Sequence, residues 1–238
     1  MGLALTFLVA AGAYLLGSIP TAYLATRWAR GFDIRKRGSG QVGGSNVWHV
    51  VSRRVGTLVV VADVVKGMVV VLGARGLGLG VDSQVVAAIA AVSGHNWPVF
   101  LRFGGGRGIA TLGGAILVLA WRETAVFAIF CVLGLVIRSF PAAIIFGVAS
   151  LPVTARLLNE PAALILGFIA MFALVLARRV IPNRKWPSGE LRRVLLYRAL
   201  FDRDVRSREA WIREGGRGPE QHPKAADMEQ MERKRRLP

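Results

Sequence analysis

Long apolar runs, almost free of charge and interrupted by short basic segments, constrain this chain more than any other feature. Residues 3–26, 56–74, 84–101, 108–121, 123–138, 140–157 and 161–177 are seven such runs. Hydrocarbon offers backbone N–H and C=O groups no partner, so a run buried in it closes its hydrogen bonds within a helix or a barrel. These runs lack the alternation of barrel strands and predict helices. About 20 residues cross a bilayer at right angles, so the shorter runs need interfacial residues to complete a span. Only Trp121, Arg122 and Glu123 separate the fourth run from the fifth. The expected fold class is an all-α integral membrane protein with about seven transmembrane helices. A composition that is 53% hydrophobic, with a mean hydropathy of +0.47, agrees. The first run has no basic n-region and no clear cleavage site, so it reads as a retained helix rather than a signal peptide. The single cysteine, Cys131, lies in an apolar run; it offers no internal disulfide and little basis for a metal site.

Charge sets the expected orientation. Of 31 Lys and Arg residues, 17 follow residue 177 and seven lie between Arg27 and Arg54. With seven spans, residues 27–55, 102–107, Arg138 and the tail share one side, and Arg75, Arg122 and Arg156 share the other. The positive-inside rule then puts the N-terminus outside and the basic tail in the cytoplasm. The expected organisation is a membrane domain over 1–180 and a basic cytoplasmic tail over 181–238. In that tail Leu191, Val194, Leu195, Leu200 and Phe201 recur at near-helical spacing among Arg192, Arg193, Arg198 and Arg203. That pattern suits an amphipathic helix on anionic lipid, and equally a solvated tail that enforces topology. No stacking platform or motif supports a nucleic-acid partner. Residues 215–238 read as disordered or as a short polar helix.

Two glycine-rich segments fall on the expected cytoplasmic side. The first, Gly38-Ser39-Gly40-Gln41-Val42-Gly43-Gly44-Ser45-Asn46, follows Asp33-Ile34-Arg35-Lys36-Arg37. Glycines let amides converge and let an anion approach, while Ser39, Ser45 and Asn46 add short polar groups beside cations; a phosphate site needs this, and so does a flexible linker. The second runs from Gly94-His95 through Gly104-Gly105-Gly106-Arg107-Gly108 to Thr111. A helix starting near Gly108 would aim unpaired amides at an anion, with Arg107 holding another oxygen; a tight helix–helix turn is the plainer alternative. Asp63 and Lys66 lie three residues apart on one face of the second span. Charges at membrane depth face a bundle interior or cavity, as a structural pair or as parts of a site. His95 is either a packing residue or a base. There is no His/Cys metal cluster, no G-x-S-x-G elbow and no Walker A lysine.

Taken in order, these segments resemble the bacterial acyl-phosphate-dependent glycerol-3-phosphate acyltransferase family (the PlsY type). Gly17-Ser18-Ile19-Pro20 matches the end of its first helix. Asp33-Ile34-Arg35 leading into the Ser39–Asn46 loop matches its Ser-Gly-Asn-x-Gly-Ala-Thr-Asn region. Asp63-Val64-Val65-Lys66-Gly67 matches Asp-x-x-Lys-Gly, and Gly94-His95 through Thr111 matches its long Gly-His-x-x-Pro…Lys-Gly-Gly-Lys-Gly-x-Ala-Thr motif. The resemblance covers about residues 14–140. It implies a seven-helix enzyme of the bacterial inner membrane with a cytoplasmic site. Its reaction would transfer an acyl group from acyl phosphate to the 1-hydroxyl of glycerol 3-phosphate, giving lysophosphatidate and phosphate. It implies no cofactor or metal, two phosphorylated substrates and surrounding membrane lipid. Carried over by motif, Lys66, His95, Arg107 and Ser139 are the catalytic candidates. Ser39, Gly40, Gly43, Ser45, Asn46, His49, Gly105, Gly106 and Gly108 are the phosphate-binding candidates. Replacing Lys66 or Arg107 by Ala is expected to abolish turnover and spare the fold.

This chain departs from that pattern at several positions. Gln41 stands for Asn, Gly44-Ser45 for Ala-Thr, His49 for Arg, Gly104 for the first Lys of Lys-Gly-Gly-Lys, and Arg107 for the second. Ser139-Phe140-Pro141-Ala142 keeps only the first Ser of Ser-Leu-x-Ser. Arg178-Arg179-Val180-Ile181-Pro182-Asn183 lacks the His of His-Arg-x-Asn, with Asn183 the counterpart of its Asn. These losses motivate an alternative: a non-catalytic membrane protein binding an anionic lipid or phosphometabolite. A transporter is a weaker third reading, since no inverted repeat is visible.

Overall fold

The computed structural model describes residues 2–181 and 191–202, and all regular structure among them is helical. In chain order the α-helices are α1 (Gly2–Ser18), α2 (Thr21–Arg30), α3 (Gly44–Val50), α4 (Arg53–Gly76), α5 (Val81–Asn96), α6 (Ile109–Leu119), α7 (Trp121–Val136), α8 (Phe140–Leu157), α9 (Ala162–Val180) and α10 (Leu191–Phe201). Each apolar run expected from the sequence is helical over most of its length. The α1–α2 run Gly2–Arg30, α4, α8 and α9 are long and apolar enough to cross a membrane; α6 is shorter and equally apolar. At about 1.5 Å per residue, α4 is roughly 36 Å long, against a hydrocarbon core of about 30 Å.

The structure corrects three boundaries. The first run breaks at Ile19-Pro20, because proline lacks the N–H that would continue the ladder. The third ends at Asn96 rather than Leu101: Pro98 disfavours helical geometry at Trp97, which adopts φ −129°, ψ 68°. The fourth and fifth are divided by Ala120 alone, and Arg122 and Glu123 belong to the first turn of α7. A carboxylate there faces the positive end of the helix dipole. The expected disorder over 215–238 lies outside the described residues, as does Asn183.

Helix α5 is the centre of the bundle and touches α1, α4, α6 and α9. Its contact face is built from Ala87, Ala88 and Ala91, all fully buried, so its neighbours approach closely. Helices α4 and α6 come closer still. A Cβ on Gly67 would overlap the Thr111 carbonyl, and one on Gly114 would overlap the Val64 carbonyl. Small residues allow such backbone contact where lipid removes the usual hydrophobic drive between helices.

Polar ties mark the two ends of the bundle. At one end Thr6 meets Ser83 at 2.8 Å, Arg75 reaches Gln84 and the Val118 carbonyl, and Arg122 pairs with Glu160. At the other end lie the C-termini of α1, α5 and α9, the N-termini of α6 and α8, the segment 31–52 and α10. The bonds described next join them.

Candidate active site

The site begins with the break in α1. Pro20 ends the helix, and Thr21 N–H turns to the Ile19 carbonyl at 3.0 Å instead of continuing the ladder to Gly17, which leaves the negative pole short of donors. Lys66, from α4, supplies them: its Nζ lies 2.9 Å from the Ile19 carbonyl and 3.4 Å from that of Gly17. The third direction of the ammonium is taken by Asp63 Oδ1 at 2.8 Å. Thr21, the first residue of α2, donates to the same carboxylate oxygen at 2.6 Å. Lys66 is therefore fully engaged within the protein, and its charge is balanced before any phosphate arrives.

Asp63 also faces His95, whose Nδ1 is 3.6 Å from Oδ1. Thr111, in the first turn of α6, places Oγ1 3.3 Å from the same ring nitrogen. With Nδ1 taken from two sides, Nε2 is the remaining functional atom. It lies against Gly106: a Cβ there would overlap both Nε2 and the Val42 carbonyl. Val42 belongs to the first glycine-rich loop, so the two loops meet at His95. A cavity of about 10 Å³ opens at this junction, walled by Ser18, Pro20, Thr21, Val42, His95 and Pro98.

The first loop is shaped by Asn46. Its Nδ2 donates to the carbonyls of Gln41 at 3.0 Å, Arg37 at 3.1 Å and Ile34 at 3.4 Å, and its Oδ1 accepts from the Ser39 amide at 3.1 Å. This side chain is a buried brace rather than an outward donor. Ser39 Oγ accepts from Gln41 N–H at 3.4 Å. Gly40 is buried and Gly43 half-buried, while Ser45 and His49 are exposed on α3. Upstream, Asp33 grips Arg35 through backbone and side chain. The hydrogen bond from Arg35 holds the Asp33 carboxyl below its ordinary pKa.

The second loop is shaped from α9. Arg178 is 1% exposed; its Nη2 donates to the Gly105 carbonyl at 2.9 Å and its Nε to the Gly106 carbonyl at 3.0 Å. Arg107 answers by donating to the Arg178 carbonyl, and its Nη2 lies 2.7 Å from Asp202 Oδ1 just past α10. Arg179 ties α10 and α8 to the same corner through the carbonyls of Ala199 and Pro141, both at 2.9 Å. Among the described residues, the amides of Arg107, Gly108, Ile109, Ala110 and Thr111 donate to no protein acceptor. Asn96, fully buried beside Gly108, has neither polar atom partnered.

The structure thus gathers Lys66, His95, Gly105, Gly106 and Gly108 with the first loop, and turns Arg107 toward α9 and α10. Ser139 begins α8, half-buried and without a hydrogen bond to the other candidates. Sequence reasoning missed Thr21, Asn96, Arg178 and Asp202 as parts of this region. Thr21 and Asn96 flank motif positions that were read. Arg178 stands where the family pattern has a histidine, and nothing in the pattern marks Asp202.

Comparison with known proteins converges on one family. The family described as glycerol-3-phosphate acyltransferase matches residues 7–185. Glycerol-3-phosphate acyltransferase 5 of Dehalococcoides mccartyi (strain ATCC BAA-2266 / KCTC 15142 / 195) is 38% identical over 231 residues, covering 93% of this chain and 99% of the relative. Glycerol-3-phosphate acyltransferase 4 of D. mccartyi strain CBDB1 is 40% identical over 208 residues, covering 84% and 89%. The crystal structure of PlsY (YgiH), an integral membrane glycerol 3-phosphate acyltransferase in its glycerol 3-phosphate form, superposes with a TM-score of 0.66. It is 30% identical, with 73% of this chain and 88% of that one covered. A fold built of apolar helices, two interlocking glycine loops around His95, and relatives matched over nearly their whole length agree: this chain belongs to the glycerol-3-phosphate acyltransferase family and is a multi-pass membrane protein.

Proposed function

We propose that the protein transfers a fatty acyl group from acyl phosphate to the 1-hydroxyl of glycerol 3-phosphate, releasing lysophosphatidate and inorganic phosphate. The observation that carries this reading is the junction of the two glycine loops at His95 Nε2, with free amides from Arg107 to Thr111 beside it. Two phosphorylated substrates need anion cradles and one positioned base. In the reaction, the glycerol oxygen bonds to the acyl carbon, the bond from that carbon to the phosphate oxygen breaks, and phosphate leaves. His95 Nε2 accepts the hydroxyl proton, and the departing phosphate takes it up. Acyl phosphate carries its own good leaving group, so no covalent enzyme intermediate is needed. Positioning and charge stabilisation supply the acceleration.

The residues divide by task in this reading. Gly105, Gly106, Gly108 and Arg107 form the second cradle; Ser39, Gly40, Gly43, Ser45 and His49 border the first, braced by Asn46. Lys66 holds the α1–α2 break and Asp63 in register. Ser139 stands at the edge, beside the corner that Arg179 ties. The acyl chain lies in an apolar groove of about 200 Å³ between α1 and α4, lined by Val9, Gly12, Leu16, Val69, Gly73 and Leu77. Its lining begins at Leu16, next in sequence to Gly17, and at Val69, one turn beyond Lys66, and continues to Val9 and Leu77.

The membrane topology follows the same logic. Seven spans cross, with α1 and α2 as one interrupted span, the N-terminus outside and the tail from residue 181 in the cytoplasm. The loops, α3, α10 and the basic segment 27–54 share one end of the bundle, which supports a site facing the cytoplasm of a bacterial inner membrane. The test is turnover: purified protein in lipid, given acyl phosphate and glycerol 3-phosphate without acyl-CoA, yields lysophosphatidate and stoichiometric phosphate. Phosphate-dependent stabilisation with no turnover on any acyl phosphate defeats the proposal.

A further inference from the structure

The proposed reaction leaves Arg178 without a task, yet it is among the largest fully buried side chains in the protein. An arginine hidden near the end of an apolar helix is costly unless its five donors are used. Here they bind backbone: Gly105 O at 2.9 Å, Gly106 O at 3.0 Å and Ile181 O at 3.2 Å. Arg107 returns the contact to the Arg178 carbonyl, so the loop and the end of α9 are latched from both sides.

This latch has a direction. In a trans peptide the C=O of one residue and the N–H of the next point opposite ways. Arg178 pulls the Gly105 and Gly106 carbonyls toward α9. The Gly106 amide then faces the other way and finds the His95 carbonyl at 3.1 Å. The Arg107 amide likewise points away from Arg178, ahead of Gly108, Ile109, Ala110 and Thr111, which also donate to no protein acceptor among the described residues. Without the latch, the Gly104–Gly108 segment has few side chains to fix its peptide planes, and glycine permits either orientation.

We propose that Arg178 is a positioning residue for the phosphate cradle: by pinning the Gly105 and Gly106 carbonyls it fixes the Arg107 amide in line with the open first-turn amides of α6, where the substrate phosphate would bind. It touches no reacting atom. A planar guanidinium spans two neighbouring carbonyls at fixed geometry; an ammonium is a point charge and does not. The inference rests on the acyltransferase reading, since the cradle is the one that reading requires.

The experiment compares wild type with Arg178→Lys, Arg178→Gln and Arg178→Met, all in lipid. In the variants the KM for at least one phosphorylated substrate rises about tenfold or more while kcat stays within about threefold. The rise in thermal midpoint that inorganic phosphate gives the wild type shrinks in each. Lys is expected to rescue no better than Gln, because geometry rather than charge is lost. Unchanged KM values and an unchanged phosphate response in the folded variants overturn the assignment. So does failure of all three to fold, which makes Arg178 purely structural. An inactive wild type overturns the acyltransferase reading instead, and the phosphate response still judges the cradle.

Discussion

Lys66 Nζ stands 2.8 Å from Asp63 Oδ1, and both side chains are almost wholly buried, at 8% and 3% exposure. The pair sits one helical turn apart on α4, beside the Gly17 and Ile19 carbonyls at the Pro20 break. This geometry argues against the expectation that replacing Lys66 by Ala spares the fold. Removing one partner of a buried pair strands the other, at about 3–5 kcal/mol. Lys66→Ala is therefore expected to lower the thermal midpoint sharply as well as abolish turnover. A Lys66→Met, Asp63→Asn double variant recovers much of the stability and none of the activity. A Lys66→Ala protein as stable as wild type contradicts the assignment.

His95 is held from its Nδ1 side by Asp63 and Thr111, with Nε2 turned to the loop junction. General base catalysis contributes about 10²–10⁴-fold. His95→Asn should cut kcat at least about 100-fold with the substrate KM values little changed. Thr111→Val, which removes one contact to Nδ1, should cost less than His95→Asn and more than a surface change. Equal activity of His95→Asn and wild type assigns the proton to the substrate phosphate.

Gly106 separates His95 from Val42 with no room for a Cβ. Gly106→Ala must push the ring or the first loop aside, and misplacement by about 1 Å costs about 100-fold in rate. The expected result is a folded protein with kcat/KM down by about that factor. Gly113→Ala, where open space surrounds the Cα, is the matched control and should be silent.

The apolar helices and the two glycine loops were legible because each leaves a local signal: unbroken hydropathy for α4, α8 and α9, and glycine density at 38–44 and 104–108. Pro20 and Pro98 mark the two breaks that the hydropathy runs concealed. The tasks of polar residues were not legible. Asn46 and Lys66 look like ligands in a list of motif residues. In the fold their donors are consumed by carbonyls 5 to 49 positions away in sequence. Arg178 and Asp202 meet Gly105–Arg107 across about 70 to 95 residues, a separation no window covers.

Asp202 pairs with Arg107 at 2.7 Å, and both side chains keep some exposure, 23% and 16% respectively. In the proposed reading Arg107 serves the phosphate cradle, and a carboxylate on its guanidinium would compete with substrate. Such partly exposed pairs are worth about 0.2–1 kcal/mol, so the competition is mild. Asp202→Asn should lower the KM for a phosphorylated substrate by no more than about fivefold, with greater effect at low salt. Arg107→Ala should raise that KM in both backgrounds. A higher KM in Asp202→Asn would make the pair a support for the cradle instead of a competitor.

The groove between α1 and α4 owes its depth to Gly12 and Gly73, neither of which has a neighbour where a Cβ would stand. From Val69 to Leu77 it extends about 12 Å along α4 at the helical rise. Filling it midway should shorten the acyl chain it accepts without disturbing the phosphate sites. Gly73→Leu is expected to shift preference toward shorter acyl phosphates, leaving the KM for glycerol 3-phosphate unchanged. Because a leucine there faces lipid and apolar side chains, the fold should tolerate it. Competition between long and short acyl phosphates, read from the product ratio, is the measurement, and a ratio equal to wild type would place the acyl chain elsewhere on the bundle.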